Sequence, residues 1–170
     1  MEGASNGEIF LKLTILLVCY PLGLVVSVFV HELGHSMAAL AVTKQPIHLA
    51  IGKGELLERI SIGRLSVHAS WRGMQFGSTR YDRSLESRNT QLLIALGGPL
   101  LTVLLAVSLG WFLKDIPLGG WQGLSSLALF VANFRILIVS LWPMEYRPNS
   151  DGEEIWLSDA LDIWRLLRRK

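Results

Sequence analysis

The stretch IFLKLTILLVCYPLGLVVSVFVHELGHSMAALAV, residues 9–42, decides how the rest of the chain is read. It is almost uninterruptedly apolar. A membrane-spanning helix needs about 20 such residues, so this run has length to spare for tilt or for a bend at Pro21. Past Lys12, its only acidic or basic side chains are His31, Glu32 and His35. The run lacks a basic n-region and a following small-residue cleavage site, which predicts a retained helix and not a cleaved signal peptide.

Working outward, the same signal recurs. Gln91 to Leu113 is a second long apolar run with Gly97, Gly98 and Pro99 near its start, and Trp121 to Trp142 is a third, stopped by Pro143. Small residues such as the glycines let helices approach closely in lipid. Between the first two runs the period changes. Ile47, Leu49 and Ile51 alternate with other residues, as do Leu65, Val67, Ala69 and Trp71, with glycines between them. Alternation of this kind predicts short strands. The expectation is a small antiparallel sheet over about residues 46–76, lying against the membrane, followed by a polar connector at 78–90. Ile155, Leu157, Leu161, Trp164 and Leu167 predict an amphipathic segment over about 153–170 with a basic end.

The fold class expected is therefore a mainly α-helical membrane protein. It has three core transmembrane helices (about 10–42, 91–113 and 121–142) and a small membrane-associated sheet between the first and second, all in one domain. Composition agrees, with 51% hydrophobic residues and a mean hydropathy of +0.41. A net charge of +2 implies no nucleic-acid partner. The lone cysteine, Cys19, reads as a small apolar residue in a helix. Of the 16 Lys and Arg residues, eight fall in 43–90 and five after Pro143. The positive-inside rule places both segments in the cytoplasm and the N-terminus outside, in a multi-pass cell-membrane protein. Arg135 lies within the third run, where a cation is costly, and is expected to have a structural role.

The chemistry concentrates in His31-Glu32-Leu33-Gly34-His35, an HExxH pattern. Residues four apart share a helix face, so the two imidazoles can bind one zinc ion while Glu32 serves as general base toward a zinc-activated water. Ionisable groups inside a membrane helix are expensive and mark functional sites by default. Two imidazoles leave a catalytic zinc one protein ligand short. Asp82 and Glu86 sit in the polar connector and read as solvated. His48 and His68 read as ordinary strand residues. Asp151 is the best candidate: it lies in Pro148-Asn149-Ser150-Asp151-Gly152, a turn-forming segment that follows the third run and enters from the cytoplasmic side. His31 is about 18 Å from the same end of the first helix.

In these features the chain resembles the site-2 protease family of intramembrane zinc metalloproteases. HELGH at 31–35 lies in the first core helix. Gly97-Gly98-Pro99-Leu100-Leu101 looks like the family's Ala-Gly-Pro element, and Pro143 through Asp151-Gly152 looks like its Pro-to-Asp-Gly segment. The resemblance spans nearly the whole chain and implies that His31, His35 and Asp151 bind one zinc per chain and that Glu32 is the catalytic base. It implies a compact member without a PDZ domain. The family commonly has Asn three residues before the proline of the third element, where this chain has Ser140, and its stretch to the Asp-Gly pair is shorter.

The expected activity is hydrolysis of peptide bonds in membrane-anchored proteins, with an extended substrate adding to a strand edge of the sheet. Lipid and a membrane-anchored regulator are the other expected partners. Two readings compete: a catalytically silent membrane scaffold or chaperone, which has no need of Glu32, and a metal transporter.

Overall fold

The computed structural model describes residues 5–53, 58–146 and 156–168. Three helices are long and apolar enough to cross a membrane: α1 (Asn6–Val42), α2 (Arg88–Leu113) and α3 (Trp121–Leu141). Ser5 caps α1 by accepting from Glu8 N, and Ser87 caps α2 by accepting from Thr90 N. The α1 helix continues through Pro21 for 37 residues, a length of about 55 Å. All three helices pack on one another.

The α1–α2 crossing is made of backbone. A Cβ added to Gly34 would collide with the Gly97 carbonyl, and one added to Gly97 would collide with the Gly34 carbonyl. Contact this close adds dispersion attraction between helices for which lipid provides no hydrophobic drive.

A four-stranded sheet follows α1: β1 (Ile47–Ile51), β2 (Glu58–Ile62), β3 (Leu65–Ala69) and β4 (Gly77–Arg80), in the order β2-β3-β1-β4. It is mixed, which corrects the expectation of an antiparallel sheet. The tight β2–β3 turn, with Gly63 at φ +58°, makes a hairpin. That hairpin docks through β3 and not β2, so β3 runs parallel to β1, with Ile47 opposite Leu65. Hydrogen bonds of 2.9 Å from Ser70 N to Ile51 O and 2.6 Å from Lys53 N to Arg72 O lock the ends of β1 and β3 together. The strand β4 pairs antiparallel with the other side of β1, with Leu49 opposite Thr79. It begins at Gly77, just past the expected strand region, and runs into the stretch read as a polar connector.

One face of β1, carrying Ile47, Leu49 and Ile51, packs on α1 around Val28 and Ala39. Arg64 extends from the hairpin to donate to Leu40 O and Thr43 O, satisfying carbonyls that the end of α1 leaves open. The sheet thus lies along the C-terminal half of α1.

After α3, two short strands, β5 (Glu145–Tyr146) and β6 (Trp156–Leu157), pair antiparallel and lead to α4 (Asp159–Arg168). The stripe Leu161, Trp164 and Leu167, expected to define the amphipathic face, is packed only in part: Leu161 is half-buried, Trp164 and Leu167 are exposed, and Leu166 is buried. The packed face carries Asp159, Asp162 and Leu166, because polar anchors await it. Arg83 donates to both carboxylate oxygens of Asp162, at 2.9 and 3.0 Å, and Arg88 donates to Leu167 O.

Candidate metal centre

Each side of the site comes from a different element. On α1, His31 and His35 lie one turn apart and are almost fully buried, at 7% and 8% exposure. Their rings stand edge to face, 4.9 Å between centroids, and their Nε2 atoms are 3.2 Å apart. The α2 helix fixes both rings from behind. His31 Nδ1 lies 2.9 Å from Thr102 Oγ1, whose own proton goes to Gly98 O, so the hydroxyl oxygen accepts from the imidazole. His35 Nδ1 lies 2.7 Å from Ile94 O. The Gly98 amide is 3.3 Å from the same nitrogen, but a carbonyl can only accept, so Nδ1–H donates to Ile94. Both imidazoles are therefore oriented with Nε2 toward a common point, as histidine metal ligands are by their outer partners. Gly98 is required here, since a Cβ on it would collide with the His35 ring.

The third group is Asp159, at the start of α4. Its Oδ2 lies 3.0 Å from His31 Nε2 and its Oδ1 lies 3.2 Å from His35 Nε2. Burial pushes the Asp159 carboxyl up, but hydrogen bonds and attraction from the two histidines outweigh it and hold the group at about 2. It is thus anionic at neutral pH. Two Nε2 atoms and a carboxylate aimed at one another can be satisfied only by protons or by a cation among them. At 3.0–3.2 Å from one another, the three groups are close enough to bind one metal ion. Among the described residues, His31, His35 and Asp159 are the group of three possible ligands close enough to share an ion.

Glu32, the next residue on α1 after His31, packs against the sheet and is 8% exposed. Its Oε2 accepts from Thr79 Oγ1 at 2.8 Å. Glu32, His35 and Asp159 open together onto a cleft of about 560 Å³, walled by β4 on one side and by Trp156 and Leu157 on the other.

The other sequence candidates lie elsewhere. Asp82 caps the short turn at Arg83–Leu85, accepting from Ser84 N and Oγ, contacts that hold its carboxyl below the usual range. Glu86 accepts from Gln45 Nε2. His48 and His68 face each other in the sheet, 6.0 Å between centroids. Asp151 falls outside the described residues. Sequence reasoning missed Asp159, whose position after Ser158 at a helix start has the look of a capping acid. Ser158 does cap α4, accepting from Leu161 N. One available signal was the i, i+3 spacing of Asp159 and Asp162, which puts two acids on one helix face.

No family model matches this chain, and no curated protein matches it.

Proposed function

We propose that this protein is an intramembrane zinc metallopeptidase that hydrolyses peptide bonds of membrane-anchored proteins. The observation that carries the reading is the convergence of His31, His35 and Asp159 on one point, with Glu32 beside them at a shared cleft. Zinc held there would supply a Lewis acid and a water ionising near neutral pH. Glu32 would be the general base, its carboxylate accepting a proton at the cleft and handing it on to the leaving amine.

Substrate access is supported by the sheet. The β4 strand ends the sheet order and lines the cleft along Gly77–Tyr81. An unwound substrate segment adding to its outer edge would lie across the metal centre in extended form. The segments rich in Lys and Arg, the sheet region and α4, gather at one end of the bundle through the Arg83–Asp162 pair. This supports a cytoplasmic placement for that end and an N-terminus outside.

Geometry favours Asp159 as third ligand, whereas the family resemblance favours Asp151. A catalytic zinc keeps one position for water, so only one of the two carboxylates belongs in the working site. Zinc content and cleavage of co-expressed membrane-anchored candidates should be measured in wild type, Glu32→Gln, Asp159→Asn and Asp151→Asn. Glu32→Gln should retain zinc and lose cleavage. The ligand variant should lose zinc, and the other aspartate's variant should keep it. Zinc retained in a His31→Ala, His35→Ala double variant would overturn the proposal. Zinc-loaded wild type that cleaves no candidate, with Glu32→Gln indistinguishable from it, would favour a silent scaffold.

A further inference from the structure

The proposed base is held by a strand that lies outside the three motifs read from the sequence. Thr79, on β4, places its hydroxyl 2.8 Å from Glu32 Oε2 and 3.0 Å from Glu32 O. A hydroxyl has one proton to give. The Glu32 carbonyl is already an acceptor within α1, and a carboxylate is the stronger acceptor, so the proton goes to Oε2. The Ser36 hydroxyl, fully buried one turn further along α1, lies 3.2 Å from Thr79 Oγ1 and completes the chain by donating to it.

Two residues earlier on the same face of β4 is Gly77. A Cβ there would collide with Glu32 Cγ, and would also stand 2.9 Å from Glu32 Oε1 and 2.8 Å from Val28 Cγ1. The Glu32 side chain lies in the space that the missing side chain leaves. β4 has both features because its Gly77/Thr79 face is the one turned to α1, in register with Ile51 and Leu49.

We propose that β4 is the positioning strand for the base: Ser36 and Thr79 orient the Glu32 carboxylate by a relay of two hydrogen bonds, and the bare backbone at Gly77 sets how closely it sits to the sheet. This rests on the reading of Glu32 as the base beside a zinc site. Thr79 touches neither metal ligands nor the reacting atoms, and acts through Glu32.

A hydroxamate tests this without a known substrate, because it chelates zinc while sharing a proton with a neighbouring carboxylate. Zinc content and acetohydroxamate affinity should be measured on the full chain in detergent, for wild type, Thr79→Val, Thr79→Ser, Gly77→Ala, Glu32→Gln and the Glu32→Gln, Thr79→Val double variant. Thr79→Val should keep its zinc and bind acetohydroxamate about tenfold more weakly, the scale of a hydrogen bond to a charged group. Thr79→Ser should restore the affinity. Gly77→Ala should weaken it with zinc intact. In the Glu32→Gln background Thr79→Val should add nothing, since its partner is already neutral. Unchanged affinity in Thr79→Val, or a full additive loss in the double variant, would overturn the positioning role while leaving the zinc site standing. A wild type that binds no zinc would overturn the site itself.

Discussion

The two halves of α1 are built on opposite rules. From Ile9 to Val26 the helix shows exposed apolar side chains, with Phe10 73% and Leu17 77% exposed. From Ser27 to Ala39 most of what it buries is polar or small, namely Ser27, His31, Glu32, Gly34, His35, Ser36 and Ala39, with Val28 the larger apolar residue among them. The first half is anchored by what surrounds it and the second by what it touches. Burial within the protein here marks the polar stretch, the reverse of a soluble helix and the pattern expected of a helix apolar enough to cross a membrane.

The largest expected effects fall on the inner half. Replacing both His31 and His35 by Ala should bring zinc below detection by metal analysis. Gly34→Leu should be nearly as damaging by another route: its side chain has no room against Gly97, and thermal unfolding in detergent should show at least about 3 kcal/mol of destabilisation. Thr102→Val, which removes the acceptor from His31 Nδ1–H without replacing a ligand, should lower zinc affinity about 10- to 100-fold in a competition titration. In the outer half, Leu17→Ala should change stability by no more than about 0.5 kcal/mol. A loss there as large as that of Gly34→Leu would break the distinction between the halves.

Ser27 sharpens it. Its hydroxyl is fully buried with no hydrogen-bond partner among the described residues. Ser27→Ala should therefore stabilise the protein by about 1 kcal/mol, since it removes a desolvated group that gains nothing in return. Destabilisation by that substitution in the same melt would show that this serine, too, is held by contacts.

What the sequence made legible follows the same divide. The three helices were readable because a long apolar run has one physical interpretation. His31, Glu32 and His35 stood out because their cost inside such a run demands a reason. The strand β4 did not, because Ser78, Thr79 and Arg80 are polar on both faces, and the face turned to α1 meets Glu32 and Ser36. The parallel docking of β3 depends on which edge of a hairpin meets β1, and alternation says nothing of that. Thr102 and the Ile94 carbonyl became recognisable only once α2 had crossed α1. Asp159 lay hidden because an acid in a first helical turn already has a sufficient local explanation.

The glycine crossing of α1 and α2 limits how this sequence can change. In most packed interfaces a larger residue on one side can be balanced by a smaller one opposite, so pairs of substitutions can drift together. At Gly34 and Gly97 each added side chain would meet the other helix's backbone carbonyl, and glycine has nothing left to remove. No compensating exchange exists at this contact. Divergent relatives would have to keep both glycines or shift the helices apart, and a shift would carry His35 away from the Ile94 carbonyl that aims it.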